Sequence, residues 1–145
     1  SPAREQAAAS IATCLAAMGG AAIFIDYGHE RSGRGDTLQA VRGHGYSPVL
    51  ANPGEQDLTS HVDFEALADA AREMGAAVSP LVPQGEWLIR LGIEARAQSL
   101  SRANPERADE IQAALERLTS PKEMGTLFKV AAIHAPDWPA PAGLQ

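Results

Sequence analysis

The segment Ala21-Ala22-Ile23-Phe24-Ile25-Asp26, which follows Gly19-Gly20, decides the fold. It is apolar without alternation and has β-branched residues toward its end, which is typical of a strand buried on both faces of a sheet. Before it, Ser1 to Met18 repeats apolar side chains at helical spacing, and Ser1-Pro2 is suited to the N-cap and first helical position. A helix, a glycine stop and a buried strand predict an α/β fold.

Outward from this strand, the pattern predicts a loop over Tyr27 to Leu50 and a helix that begins at Asp63 as N-cap and ends at Gly75. The other predicted elements are a poorer strand over 77–82, a helix over 84–100, a helix from Asn104-Pro105, a short helical turn from Ser120 and a last strand over 127–134. Pro80 restricts the poorer strand to an edge or a bulge. Three strands make a thin sheet for 145 residues, a length that suits one domain. We expect residues 1–134 to be a domain portion and 135–145 a Pro-rich tail.

Composition limits the classes of partner. Lys and Arg number 12 against 18 Asp and Glu, and the formal net charge is −6. This balance predicts neither a nucleic-acid partner nor an anionic membrane surface. No apolar run reaches the roughly 20 residues of a membrane helix. The single cysteine, Cys14, is expected to be a small core residue. The first residue is Ser1 rather than Met, which suggests a processed product or a piece of a longer chain.

Candidate chemical groups follow the first strand directly, as Asp26-Tyr27-Gly28-His29. In open α/β sheets, ligands bind at the carboxyl ends of strands. There the Asp26 carboxylate can hold a cationic or hydroxylated group and His29 can move a proton. The alternative is a capped loop with a solvated histidine.

Other polar motifs carry weaker signals. Residues 31–36 match neither the dinucleotide fingerprint nor the P-loop and predict a mobile glycine loop, a type that can act as a lid. Asp57-Leu58-Thr59 resembles a turn that leads into the helix, and Arg96 is either an anion ligand or a solvated side chain. His29, His44 and His61 lack metal-ligand spacing, as do Asp26 and Asp63, so no metal site is predicted.

Short motifs also occur in a characteristic order over residues 21–134. They are Ile25-Asp-Tyr-Gly-His29, Gly35-Asp-Thr-Leu-Gln39, His44, Asn52-Pro-Gly54, Asp57-Leu-Thr59, His61-Val-Asp-Phe64, Gln84-Gly85, Leu91-Gly-Ile93, Arg96, Pro121 and Met124-Gly125. This succession resembles the MidA family of S-adenosylmethionine-dependent methyltransferases, which includes the mitochondrial protein arginine methyltransferase needed for assembly of respiratory complex I.

The resemblance implies an α/β fold that is the C-terminal part of a class I (Rossmann-like) methyltransferase sheet, with several helices and an antiparallel strand at the C-terminal end. The strand over 21–26 would be the fifth of that sheet, and those near 77–82 and 127–134 the last two. The chain lacks the family's Gly-rich cofactor loop. S-adenosylmethionine would therefore be bound mainly by residues outside this chain, and the isolated chain is expected to be inactive.

The resemblance further implies that this chain is a portion of a protein (arginine) methyltransferase that acts in complex I assembly, or of a bacterial counterpart. The protein would be cytoplasmic if it is bacterial, whereas its eukaryotic relatives are mitochondrial. Its partners would be a protein substrate and the rest of its own domain or a partner chain. The expected catalytic residues are Asp26, His29 and Asp63. The expected substrate-binding residues are Tyr27, Asp36, His44, Asp57, Thr59, His61 and Arg96.

Two other functions remain open from the residues. One is a metal- or carboxylate-dependent hydrolase that uses Asp26, His29, His44 and His61. The other is a non-catalytic interaction module, because half a sheet would expose an edge and apolar surface.

Overall fold

The computed structural model describes residues 1–43 and 45–145, and these residues form two sheets, six α-helices and a 3-10 turn. The helices are α1 Pro2–Met18, α2 Phe64–Glu73, α3 Gln84–Arg90, α4 Ile93–Ala103, α5 Ala108–Thr119 and α6 Met124–Leu127, and the 3-10 turn is Pro105–Arg107. The strands are β1 Ala21–His29, β2 Gln39–Arg42, β3 Gly45–Ser47, β4 Asp57–Thr59, β5 Val62–Asp63, β6 Ala77–Val78, β7 Val82–Pro83 and β8 Phe128–His134. None of the described helices is long and apolar enough to cross a membrane.

The larger sheet is organised around β8. It runs antiparallel to β1 on one side and to β6 and β7 on the other, which confirms the predicted antiparallel strand at the C-terminal end. Pro80 interrupts the edge strand between β6 and β7, as predicted. There the Ser79 hydroxyl accepts a hydrogen bond from the Ala132 N–H at 2.9 Å, so the ladder continues through a side chain.

Helices α1 and α2 cover one face of this sheet. Ala8 and Ala12 of α1 are fully buried against Leu67 and Ala71 of α2 and Ile133 of β8. Small side chains therefore bring α1 close to the sheet. The predicted apolar face of α1 included Met18, which is exposed. The expectation that Cys14 is a core residue is wrong, because that side chain lies on the exposed side of α1.

Strand β1 differs from the prediction in burial and length. Phe24 packs against the core, but Ile23 and Ile25 on the other face are 46% and 45% exposed. The prediction of burial on both faces is wrong, because no described element covers that side of the strand. The strand also continues through Asp26 to His29, where it pairs in parallel with β5.

The contact between β1 and β5 depends on Gly28. A Cβ atom at this position would lie 2.2 Å from the Val62 carbonyl oxygen and 2.9 Å from Cε2 of Phe64. A carbonyl in a paired strand cannot move aside without breaking hydrogen bonds between the strands. The two backbones therefore meet only when residue 28 has no side chain.

The smaller sheet, in the order β3-β2-β4, was not predicted. Most of it lies in the segment assigned to a loop, and the motif Asp57-Leu58-Thr59, expected to be a turn, is strand β4. Strands of three or four residues among glycines show too little alternation to be recognised. The β2–β4 pairing also joins residues distant in the chain, such as Gln39 and Thr59.

The predicted helix over 84–100 is two helices, because Gly92 adopts a positive φ of 83° between α3 and α4. The start of α3 packs closely against the end of α5. A Cβ atom at Gly85 would lie 2.4 Å from the Thr119 carbonyl oxygen, and one at Gly125 would lie 2.1 Å from the same oxygen. Gln84 reinforces this junction by donating from Nε2 to the Leu118 carbonyl at 3.0 Å.

The segment 135–145 is irregular, but it packs onto the larger sheet. Leu144 is fully buried with Val130 and Val82. The Trp87 indole N–H donates to the Ala142 carbonyl at 3.1 Å. A Pro-rich segment of this kind has no regular backbone hydrogen bonds of its own. A few side-chain contacts therefore hold it in place.

We expect Gly28→Ala to lower the free energy of unfolding by about 1–3 kcal/mol, because the added methyl group must push β1 and β5 apart. Urea unfolding followed by circular dichroism measures this. Gly35→Ala is the matched control, since nothing lies within 4 Å of a Cβ atom there and its φ is not positive. Equal losses in both variants would contradict the close contact.

Asp63 caps α2 and has a lowered pKa. Its Oδ1 accepts from the Ala66 N–H at 3.1 Å and its Oδ2 from the Ser32 hydroxyl at 2.7 Å. Partial burial raises the pKa, but the hydrogen bonds from Ala66 and Ser32 and the nearby His29 outweigh it and hold the pKa below 3.8. The charged carboxylate therefore stabilises the folded state above the unfolded pKa, and this contribution is lost as pH falls through the folded pKa.

We expect Asp63→Ala to lower the free energy of unfolding by about 1 kcal/mol at neutral pH, and Asp63→Asn to lower it less, because asparagine also caps helices. The difference in the free energy of unfolding between wild type and Asp63→Asn should become smaller as the pH is lowered from about 7 to about 3. Urea titrations at both pH values measure this difference. A difference that widens on acidification would rule out the stabilising role of the charge.

Candidate functional site

A cleft of about 230 Å³, here named the polar cleft, opens at the carboxyl ends of β1 and β5. The lining residues are Ser1, Arg4, Glu5, His29, Gly33, Thr37, Ser60, His61, Asp63 and Leu67. They come from the start of α1 and the residue before it, the end of β1 and the segment after it, the β4–β5 connection, the end of β5 and the start of α2. The position is the one expected for a ligand site in an open α/β sheet.

The pair His29 and Asp63 lies at the centre of the site. These residues stand opposite each other in the parallel β1–β5 pairing, at a strand separation of about 4.8 Å. His29 Nδ1 lies 2.8 Å from the Arg31 carbonyl oxygen. Because a carbonyl only accepts, Nδ1 carries the hydrogen, and Nε2 of the neutral ring keeps its lone pair for a proton. With its lowered pKa, the Asp63 carboxyl is ionised at neutral pH.

His61 is held through its backbone. Arg4 donates from Nη1 to the His61 carbonyl at 2.8 Å and from Nη2 to the Ser60 carbonyl at 3.1 Å. The His61 N–H donates to the Thr37 hydroxyl at 3.2 Å. Arg4 and Thr37 were missed by sequence reasoning. No local pattern relates Arg4 to a segment 57 residues away, and Thr37 lies within a matched motif but showed no chemistry of its own.

The segment after β1 is attached to the start of α2. Ser32 donates its N–H to Glu65 Oε2 at 2.8 Å and its hydroxyl to Asp63 Oδ2 at 2.7 Å. The remainder, through Leu38, is irregular and exposed apart from the half-buried Thr37, in agreement with the predicted glycine loop. Its attachment places Gly33 at the polar cleft. A lid function for this segment stays a prediction.

A second depression of about 240 Å³, here named the side groove, lies between the larger sheet and the smaller one. Its lining residues are Tyr27, Gln39, Val41, Tyr46, Thr59, His61 and Leu127. The Tyr27 ring makes edge contacts with the His61 ring at 5.7 Å and with the Phe128 ring at 5.6 Å between centroids. His61 lines both the side groove and the polar cleft, so the two are neighbours.

The structure brings together five of the predicted site residues. His29, His61 and Asp63 line the polar cleft, and Tyr27 and Thr59 line the side groove beside His61.

Asp26 lies outside both depressions. It is within β1, where its carboxylate accepts the Tyr27 N–H at 2.8 Å. There it lines a separate depression of about 360 Å³ along the unpaired edge of the strand, next to Ile25 and Arg4. The expected position past the end of the strand was wrong, because β1 continues to His29.

The other predicted residues are dispersed. Asp36 closes a local turn by accepting the Leu38 N–H at 2.9 Å. Asp57 is exposed on β4. Arg96 lies on α4, which packs against α3 and α5 rather than beside the cleft. His44 lies outside the described residues. Among residues 1–43 and 45–145, no three His, Cys, Asp or Glu side chains converge closely enough to hold a metal ion.

Comparisons with known proteins identify relatives over most of this chain. A family model described as "Putative S-adenosyl-L-methionine-dependent methyltransferase" matches residues 1–82. The mitochondrial protein arginine methyltransferase NDUFAF7 homolog of Drosophila melanogaster is 40% identical over 79% of this chain and 26% of its own length. The mitochondrial protein arginine methyltransferase NDUFAF7 of Danio rerio is 33% identical over 85% of this chain and 29% of its own length. The chain thus spans less than a third of these relatives.

Two crystal structures of proteins from Burkholderia thailandensis have the same fold. An uncharacterized superfamily protein covers 97% of this chain with a TM-score of 0.85 and 28% identity, over 39% of its own chain. A second member, bound to S-adenosyl-homocysteine, covers 97% with a TM-score of 0.77 and 30% identity, over 37% of its own chain. S-adenosylmethionine, whose demethylated product this neighbour holds, is therefore the cofactor of the family.

The matched region 1–82 is more than half of the chain and contains α1, β1, β5, α2 and every described residue of the polar cleft. The fold agrees, since β8 is the predicted antiparallel strand of a Rossmann-like methyltransferase sheet. The chain therefore belongs to the family of S-adenosylmethionine-dependent methyltransferases that its ordered motifs resemble.

Proposed function

We propose that this chain is the substrate-side portion of an S-adenosylmethionine-dependent protein methyltransferase whose acceptor is an arginine side chain. The observation that supports this is the convergence of His29, His61 and Asp63 at the carboxyl ends of β1 and β5. The relatives named protein arginine methyltransferase support the acceptor. This convergence of two imidazoles and a carboxylate suits proton handling next to a charged side chain.

Asp63 is suited to orient a guanidinium group. Each of its oxygens accepts one hydrogen bond, from Ala66 or Ser32, and each retains acceptor capacity. A guanidinium presents parallel N–H donors that match a carboxylate in a bidentate pair. The pair fixes the plane of the acceptor, and alignment of the reacting atoms is a major part of catalysis in a group transfer.

His29 is suited to remove a proton. A protonated guanidinium that gains a methyl group and keeps its charge releases one proton. Nε2 of His29 is the free acceptor nitrogen, since Nδ1 is engaged by the Arg31 carbonyl. In this role His29 is a general base, and Arg4 and Thr37 are positioning residues that hold the backbone of His61 next to it.

The polar cleft is small for a site that would hold S-adenosylmethionine. The polar cleft, at about 230 Å³, is smaller than the roughly 300–1,000 Å³ of typical small-molecule sites. Among residues 1–43 and 45–145, no Gly-rich turn connects a strand to a following helix. We infer that S-adenosylmethionine, which supplies the methyl group, is bound mainly by residues outside this chain.

The unpaired edge of β1 supports the proposal that a further part of the protein packs beside this strand. Ile23 and Ile25 are half exposed, and the relatives are more than three times as long as the region this chain covers. Apolar surface beside an unpaired strand edge favours continuation of the sheet. The rest of the same domain, or a partner chain, would pack there.

The cellular setting is also a proposal. The eukaryotic relatives are named as mitochondrial proteins. By resemblance, this protein would act in respiratory complex I assembly or in a bacterial counterpart, in the cytoplasm if the source is a bacterium. The absence of nucleic-acid and membrane partners stays a prediction.

We expect His29→Ala in the full-length protein to lower methyl transfer from S-adenosylmethionine to arginine-containing protein by at least about a hundredfold, because the general base is lost. Asp63→Asn should lower kcat/KM by about tenfold or more, because the charged half of the bidentate pair is lost while the cap remains. Transfer of a radiolabelled methyl group measures both.

The matched control is Asp69→Asn, which removes an exposed ion pair with Arg72 on α2, the helix that Asp63 caps. It should retain wild-type transfer. If His29→Ala also transfers methyl groups at the wild-type rate, the assignment of the base is wrong.

We also expect residues 1–145 alone to bind S-adenosyl-homocysteine no more tightly than about 1 mM, while the full-length protein binds it in the micromolar range. Calorimetric titration of both proteins compares them. Micromolar binding by residues 1–145 would show that the cofactor site lies within this chain.

A further inference from the structure

The smaller sheet contributes one wall of the side groove. Val41 of β2 stands opposite Tyr46 of β3 and opposite Asp57 of β4, so the three side chains share one face of the sheet. Val41 and Tyr46 line the side groove, and this face is therefore turned toward the larger sheet. Tyr46 is 83% exposed, although it is a large aromatic residue in a strand. An exposed tyrosine of this kind is typical of a recognition surface.

The opposite wall carries Leu127, which is 52% exposed, and Tyr27. Tyr27 contacts the His61 ring edge-on at 5.7 Å, and His61 also lines the polar cleft. A side chain that follows the groove past Tyr27 therefore arrives beside His61. The groove therefore borders the polar cleft at His61, the lining residue that the two depressions share.

The chemistry of the groove fits the stem and head of an arginine. Tyrosine faces attract a guanidinium, and an aliphatic stem packs well on tyrosine and leucine. The described residues that line the groove include no Lys or Arg. Asp57 adds a carboxylate on the face of Tyr46, and the basic Arg42 of the same sheet is paired with Glu55 at 2.7 Å.

The smaller sheet also offers backbone groups. In the order β3-β2-β4, the outer edges of β3 and β4 pair with no other strand of the described chain. An extended peptide can add to such an edge through main-chain hydrogen bonds while its side chains enter neighbouring pockets. This favours an extended segment of protein over a compact ligand.

We propose that the side groove docks an extended segment of the protein substrate and leads its arginine past Tyr46 and Tyr27 to the polar cleft. Tyr46 is the specificity-determining contact of this surface. The inference rests on the proposed function for the identity of the acceptor, and it adds where the segment lies and which residue selects it.

The test uses the full-length protein saturated with S-adenosyl-homocysteine and fluorescent peptides from a library with one fixed arginine and random flanks. Fluorescence anisotropy with the tightest-binding peptide gives Kd. Tyr46→Ala should raise this Kd about tenfold, and Tyr46→Phe should stay within about twofold, because the ring is kept. Leu50→Ala is the control, since Leu50 is 92% exposed and lies outside the groove. The Kd for S-adenosyl-homocysteine should be the same in all variants.

Wild-type peptide affinity in Tyr46→Ala overturns the proposal, and so does the lack of any peptide binding by the wild type. A change in self-association of Tyr46→Ala in sedimentation, without a change in peptide affinity, would assign the groove to a second copy of the chain and also overturn it. Peptide binding that depends on Tyr46 without methyl transfer would support the groove and refute the proposed function. Methyl transfer at the wild-type rate in Tyr46→Ala would refute the role of the groove and support the proposed function.

Discussion

The close approach of β1 and β5 at Gly28 is the constraint on which the site depends. A side chain at this position would meet the Val62 carbonyl at 2.2 Å, so only a glycine allows the two strands to pair there. The pairing sets His29 opposite Asp63. Asp63 ends β5 and caps α2 at the same time, and thus one backbone contact positions a strand, a helix and the two groups assigned to the chemistry.

Small residues determine the packing elsewhere as well. Ala8 and Ala12 bring α1 against the sheet, and Gly85 and Gly125 bring α3 and α6 against the end of α5. Such contacts leave little free space, so single methyl groups are costly there. The uncovered face and edge of β1 contrast with this dense packing, and there the fold as described is open to another element.

Much of the fold could be predicted because it is encoded locally. The Gly19-Gly20 stop, the Asp63 cap and the Pro80 interruption act over a few residues each, and all three were predicted from the sequence. The smaller sheet and the break at Gly92 were not predicted. Strand pairing depends on partners distant in the chain, and a single glycine inside a helical pattern gives no sign of whether it ends the helix.

The sequence by itself determined the family, the α/β class and three residues of the cleft, because motif order and local hydrophobic pattern can be recognised in one dimension. Tertiary structure decided which polar groups meet. It placed Asp26 on an unpaired edge, brought Arg4 from a helix start to the backbone of His61, and set Tyr46 across a groove from Tyr27. The physical reason is that side-chain convergence is set by backbone separations and strand register, and these are properties of packed elements rather than of neighbouring residues.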